Sequence, residues 1–276
     1  MPRFTGSLSL QIDVERHLRS IPDMQDKTVV DVPAGDGRTS TALKDLGAKV
    51  IPCDLFPEFF DVEGLECRKA DLMATLPIPQ ASADILICQE GIEHLPDQLH
   101  AFRQFNQVLK TGGRLLVTTP NISNLRAKLG YLCNEAEVFS RLPATETDAI
   151  WFGNDAADEV YFGHVFLAGV QRLRVLGQIA GFELKSVLST KISWGCVALS
   201  GFLPLIAATN LYAHWRSQRR LHKDIERDWA HGVHTEVIKL NLHPNVLFCK
   251  QLFLEFTKTK QSGEVGRELH KKLKAA

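Results

Sequence analysis

The chain has 276 residues, 45% hydrophobic and 23% charged, with 32 basic and 32 acidic side chains and a formal net charge of zero. That length suits one large domain or two small ones, and balanced charge argues against a dedicated nucleic-acid binder, which runs to a basic excess. Six scattered cysteines without a C-x-x-C pair fit a reducing cytoplasm better than a disulfide framework, and the start, MPRFTGSLSLQIDVERH, lacks the apolar run of a secretory signal.

Strands are expected at 27–32 (KTVVDV), 48–53, 65–70 (LECRKA), 83–89 (ADILICQ) and 113–119, most of them carrying Val, Ile or Leu in short runs. Such runs suit strands buried on both faces. Between them lie helical stretches: RTSTALKDLG, stopped by Gly47, and DQLHAFRQFNQVLKTGG, with Leu99, Phe102, Phe105 and Leu109 at three- and four-residue steps. Residues 121–165 are less regular, with a helix expected from Asn121 to Leu132 and a lid or substrate insertion over the whole. A helix at 166–182 stops at Gly181, two more strands follow at 182–189 and 247–258, and the tail from Thr259 reads as frayed or weakly helical. Strand–helix alternation with short connections predicts an α/β fold, a mostly parallel sheet with helices on both faces. The domain division is one unit over 1–258, with a hydrophobic helical insertion at 190–245 and a polar tail at 259–276.

The first strand ends at Asp31, and Val32-Pro33-Ala34-Gly35-Asp36-Gly37 turns the chain into a helix. In open α/β sheets ligands bind outside the carboxyl ends of the strands. Gly35 and Gly37 let backbone approach a ligand or take positive φ where a side chain would clash. Asp54, closing the second strand, can accept both hydroxyls of a ribose. Gly35-Asp36-Gly37-Arg38-Thr39-Ser40 narrowly misses the dinucleotide fingerprint, having Ser at the third small position. Asp31 beside a pyrophosphate would be repulsive, whereas beside a cationic amino-acid moiety it is favourable. The stretch therefore points to S-adenosylmethionine.

Landmarks in order carry a family resemblance. Asp31-Val32-Pro33-Ala34-Gly35-Asp36-Gly37 resembles the D-x-G-x-G-x-G opening of class I S-adenosylmethionine-dependent methyltransferases, with Pro33 where the first Gly usually stands. Asp54 with Leu55, Asp71 with Leu72 in KADLMATLP, Gln89-Glu90 after ADILIC, and Lys110-Thr111-Gly112-Gly113 are similar to the later landmarks. The resemblance implies a Rossmann-like seven-stranded mixed sheet in the order 3-2-1-4-5-7-6. It also implies a cofactor site of Asp31, Pro33, Ala34, Gly35, Asp36, Gly37, Asp54, Leu55, Asp71, Leu72, Gln89 and Glu90. Asp54 takes the ribose there, Asp71 lies near the adenine amino group, and Gln89-Glu90 lie beside the methionyl part. ICQEGIEHLPD, TTPNISNLRAKLGYL and GHVFLAGVQRLRVLGQIAGFEL further resemble the ubiquinone O-methyltransferase-like branch, and within it bacterial enzymes of surface-polysaccharide assembly. By that analogy the acceptor is a hydroxyl of a glycan or lipid-linked intermediate. A small aromatic such as a quinone precursor, or a cofactor-binding scaffold without turnover, are the competing readings.

Methyl transfer is an in-line displacement in which positioning matters most, and an oxygen nucleophile still has to lose its proton. His94, just past the fourth strand, and His164, at the end of the irregular insertion, are the candidate bases; each equally suits a structural role. No metal is expected: His231-x-x-His234 has ligand spacing, but nothing nearby completes a zinc set.

Ile192 to Ala213 contains no Asp, Glu, Lys or Arg. It is long enough to span a bilayer, yet it is diluted by Ser, Gly, Pro, Thr and Asn. Both flanking strands return to one sheet, so a single crossing is impossible. Two uses stay open: burial or packing against a second copy, and peripheral contact with the inner face of the cell membrane through 192–220. Trp194, Tyr212, Trp215, Arg216, Arg219 and Arg220 suit such an interface. The expected location is cytoplasmic.

Overall fold

The computed structural model describes residues 8–154, 159–219 and 227–274. Arg220 of the expected interface lies outside them. Helix α1 (Leu8–Ser20) leads into β1 (Thr28–Asp31), α2 (Arg38–Asp45), β2 (Lys49–Asp54), β3 (Arg68–Lys69), β4 (Ala83–Gln89), α3 (Gln98–Val108) and β5 (Leu109–Pro120). The insertion holds α4 (Leu125–Asn134), α5 (Glu146–Ala149) and a hairpin of β6 (Ile150–Asn154) and β7 (Glu159–Phe162). Then come α6 (Val170–Ile179), β8 (Phe182–Val187), α7 (Trp194–Ala198), α8 (Leu203–Arg219), α9 (Arg227–Asn241), α10 (Pro244–Phe248), β9 (Gln251–Lys258) and α11 (Ser262–Lys274).

The main sheet runs β3-β2-β1-β4-β5-β9-β8. Since β8 and β9 are its sixth and seventh strands in chain order, this is the expected 3-2-1-4-5-7-6. Strands β1 to β5 pair in parallel, and β9 inserts antiparallel to both β5 and β8. The continuous apolar runs follow from burial on two faces. Val29, Ile85, Ile87, Leu116 and Phe253 meet Leu10, Val14 and Leu18 of α1 and Leu43 of α2. Val30, Leu86, Leu115, Val117, Leu254 and Phe256 meet Phe102 and Phe105 of α3 and Leu173 of α6. Each fully buried side chain of this size contributes about 1.5–3 kcal/mol.

Lys258 ends β9 inside this core, 1% exposed. Its ammonium donates to the carbonyls of Asn106 (2.6 Å) and Leu109 (2.8 Å), where α3 gives way to β5. A cation satisfies carbonyls that the helix end leaves without intrahelical donors.

The structure differs from the sequence reading at several boundaries: the helix expected through Leu109 to the Gly pair stops at Val108, where β5 begins, and the helices expected at 121–132 and 166–182 are Leu125–Asn134 and Val170–Ile179. β3 is two residues long, a short strand at the sheet edge. The run at 247–258 is strand only from Gln251, because Pro244 opens the helical turn α10, capped by the His243 ring on the Asn245 amide (3.2 Å). The tail is a 13-residue helix. Buried Val265, the Ser262 hydroxyl donating to the Ala180 carbonyl (2.7 Å) and a Lys260–Glu268 ion pair hold it to the body. Among the described residues no helix is long and apolar enough to cross a membrane.

Candidate cofactor and acceptor site

The carboxyl ends of β1, β2 and β4 lie side by side, with Asp31 in register with Pro52 and Ile87. The turn after β1 contains a cis Val32-Pro33 bond and two left-handed glycines, Gly35 (φ 55°) and Gly37 (φ 86°). They play different parts. A Cβ on Gly35 would meet nothing within 4 Å, so bare backbone faces open space there. A Cβ on Gly37 would lie 2.2 Å from Val62 Cγ2 and 2.9 Å from the Phe60 ring, so that glycine lets a loop close over the turn.

Asp54 is buried, and its two oxygens accept the amides of Gly35 (2.8 Å) and Phe56 (2.9 Å). The carboxylate at the end of β2 therefore fixes the glycine turn, and each oxygen keeps a second lone pair for a hydroxyl. Asp31 is fully buried, with Oδ2 accepting from the Ser40 hydroxyl (2.6 Å) and Oδ1 without a partner. Burial pushes its carboxyl up to about 7, helped by the charge of Asp54, while the Ser40 bond pulls the other way. An orphaned buried carboxylate oxygen suits a cationic ligand group.

Asp36 pairs with Arg38 of its own turn (2.9 Å). Exposed Asp71 accepts the Met73 amide (2.8 Å), and Leu72 beside it is buried while Leu55 is half-buried. Gln89 accepts from the Thr39 hydroxyl (3.0 Å) and donates to Gln11 (3.2 Å) of α1. Gln11 is not among the site residues expected from the sequence; the spacing of Leu10, Val14 and Leu18 in α1 is the signal that this segment folds onto the sheet. Gly91, also missed, lets the end of β4 lie on the first turn, since a Cβ there would sit 2.5 Å from Pro33 Cδ. This contact joins the glycine turn to the segment that carries the histidines.

That segment is a 3-10 turn, Ile92–His94. Glu90 takes positive φ (50°), and burial raises its carboxyl to about 7. Glu93 is fully buried, with Oε2 accepting from the Thr119 hydroxyl (3.1 Å) and Oε1 unpartnered. Burial and the nearby Glu90 push it well above the carboxylate range. The Phe162 carbonyl lies 2.9 Å from His94 Nδ1. A carbonyl can only accept, so Nδ1 donates to it, and the Gly163 backbone also bonds this imidazole. The His94 and His164 rings lie 5.0 Å apart, and desolvation lowers both imidazoles. Thus the structure brings together the two histidines that the sequence singled out separately. Glu93, His94 and His164 also place one ligand atom each within 4.8 Å of the others, a set that could hold a divalent cation and that only the fold brings together.

Residues 30–117 match the methyltransferase domain family. They include the glycine turn, Asp54, Asp71, Gln89, Glu90 and His94 but not His164. Over 105 residues the chain is 36% identical to the ubiquinone biosynthesis O-methyltransferase of Xanthomonas campestris pv. campestris, covering 34% of this chain and 43% of that protein. It is equally similar to that of Xylella fastidiosa, covering 42% of it. The match therefore spans less than half the length of these curated relatives. Among solved structures, an S-adenosylmethionine-dependent methyltransferase from Listeria monocytogenes superposes with a TM-score of 0.51 at 13% identity, over 91% of this chain and 99% of that one. A Thermotoga maritima counterpart gives 0.50 at 15% identity, over 91% and 88%. At such identities the likeness is one of fold.

Proposed function

We propose that this chain, whose residues 30–117 match the methyltransferase domain family, is a class I S-adenosylmethionine-dependent methyltransferase that methylates a hydroxyl group of a glycan or lipid-linked intermediate. The observation that carries the oxygen acceptor is the pair of imidazoles at the carboxyl edge of the sheet: the His94 and His164 rings lie 5.0 Å apart, and desolvation holds both below the ordinary imidazole range, so that neutral rings able to take a proton face the site. The relatives, named as O-methyltransferases, agree with an oxygen nucleophile.

The cofactor reading rests on the empty half of the Asp31 carboxylate, the open space over Gly35 and the Asp54 carboxylate. Asp31 with the Gly35 backbone holds the amino-acid end, and Asp54 the ribose. Leu55 and Leu72 flank the adenine, with Asp71 beside its amino group. Gln89 and Glu90 bound the methionyl side, and Pro33, Ala34, Asp36 and Gly37 shape the turn. When bound, S-adenosylmethionine supplies a methyl group on a sulfonium. His94, with the His164 ring 5.0 Å away, would take the proton that the acceptor hydroxyl loses. Such proton removal contributes about 10²–10⁴-fold to rate. A divalent cation held by Glu93, His94 and His164, polarising the hydroxyl directly, is the second reading that the clustered ligand atoms favour. The insertion at 121–165, which brings Phe162 and His164 to the site, acts as the acceptor lid.

The test is incubation of the purified chain with methyl-labelled S-adenosylmethionine and either the lipid-linked glycan fraction or the phenol fraction of its source organism. Label in the glycan fraction, lost in His94→Ala, supports the reading. Label confined to phenols favours the small-aromatic acceptor. Cofactor binding without label anywhere makes the chain a scaffold. Activity abolished by a chelator and restored by a divalent cation selects the metal-assisted version.

A further inference from the structure

Helix α8 is amphipathic in the reverse sense. Its inward stripe is Leu203, Ile206, Asn210, His214 and Gln218, and the last three are polar. They face α9: Asn241 donates to Asn210 Oδ1 (2.7 Å), Gln218 lies 3.3 Å from His234 Nδ1, and His214 packs on the His231 ring at 5.6 Å. The outward side carries Leu205, Leu211, Tyr212 and Trp215, and Phe202 stands in the turn just before the helix, all between 49% and 62% exposed. Trp194 at the start of α7 is 81% exposed and Ile192 before it 51%. A surface helix in water has the opposite arrangement.

Charge on this face has one sign. Residues 184–223 contain no Asp or Glu, and α8 ends in Arg216 and Arg219. Arg219 lies over the Trp215 ring at 4.0 Å, and Arg216 donates to the Tyr212 hydroxyl (3.1 Å). Aromatic rings and arginines beside an apolar face are what a lipid headgroup layer accommodates. A second copy of the chain would bring arginines to arginines, and neither α7 nor α8 carries an acid to meet them. Beside the face runs a largely apolar groove of about 320 Å³, lined by Ile192, Val197, Pro244, Phe248 and Cys249 together with Ser200 and Asn245. Ile192 and Val197 belong to both, so an acyl or isoprenoid chain can pass from face to groove.

We infer that the outer face of α7 and α8 lies in the plane of an anionic membrane surface, its aromatics at headgroup level and its arginines on the phosphates. The position suits the chemistry proposed above. Cys196 of α7 packs with Leu125 of α4, and α4 leaves the carboxyl end of β5, the edge on which the site opens. A lipid-linked acceptor would then reach the histidines without leaving the bilayer. The inference deepens the lipid-linked reading but can fail separately, because it is read by vesicle binding and not by turnover.

The experiment is flotation of the full chain with phosphatidylcholine vesicles, with and without phosphatidylglycerol. Binding to the phosphatidylglycerol vesicles is expected to exceed that to phosphatidylcholine by at least about tenfold and to weaken with added salt. The exposed triple variant Phe202→Ser/Leu211→Ser/Trp215→Ser should lose at least about tenfold in vesicle binding while keeping its melting temperature and its affinity for S-adenosylhomocysteine. Arg216→Glu/Arg219→Glu should abolish the lipid preference, and His94→Ala should float like the parent. No binding to either vesicle, equal binding to both, or a dimer in ultracentrifugation that the triple variant dissociates would each overturn the inference; the last would make a second copy the occupant.

Discussion

Cofactor affinity should depend on pH through Asp31. This carboxyl is buried, bonded through one oxygen to Ser40 and raised to about 7. A ligand ammonium docked on Oδ1 requires the ionised form. At about pH 7 half the molecules have it; at about pH 5 only about one in a hundred does. Binding should therefore weaken about 50-fold over that interval, or about 2.3 kcal/mol. The ligand's α-amino group stays protonated throughout, since such groups titrate near about 7.7–8.0. Isothermal calorimetry with S-adenosylhomocysteine measures this directly, and buffers of differing ionisation enthalpy should show about half a proton released on binding at about pH 7, rising to about one at about pH 5. Asp31→Asn controls for Glu90, which is also raised to about 7. In that variant affinity at neutral pH should fall and the steep pH dependence should flatten. An affinity constant to within about twofold across the interval, or a slope that survives in Asp31→Asn, would refute the placement of the amino-acid end.

The same group predicts a stability trend. A carboxyl raised in the native state binds more protons there than when unfolded, so the empty protein should gain stability as pH falls from about 7 toward about 4, and denaturant unfolding of Asp31→Asn should show a shallower slope. Gly37→Ala forces a side chain onto φ 86° and into Val62, and should cost about 1–3 kcal/mol in thermal unfolding; an unchanged melting temperature would contradict the turn geometry. Lys258→Met strands the carbonyls of Asn106 and Leu109 in the core and should destabilise by about 2–4 kcal/mol by urea titration, a loss no exposed lysine would show. His94→Ala should lower kcat by about 10²–10⁴ with cofactor affinity unchanged. Full activity in that variant would remove His94 from the proton-transfer role.

Much of the sheet was legible because burial on both faces writes unbroken apolar runs, as in ADILICQ, and because glycines mark turns that other residues resist. What escaped the sequence were contacts made across long separations. Nothing local says that Gln11 reaches Gln89, that Gly91 rests on Pro33, or that His94 and His164 share a wall; the fold alone joins them. Asp54 shows another limit. Its position at the end of the second strand was readable, but not that both oxygens already hold backbone amides, which makes it a brace for the turn as well as a candidate ribose ligand. The uncharged run was visible as a peculiarity, whereas its inverted helix, polar within and apolar without, needed coordinates.

The most direct test of the account is a crystal structure of the chain grown with S-adenosylhomocysteine. It should show the ribose hydroxyls on Asp54, the adenine between Leu55 and Leu72, and the ammonium on Asp31 Oδ1, with the sulfur facing His94. Crystals in which the nucleoside lies elsewhere, or in which the glycine turn stays empty at saturating ligand, would contradict it.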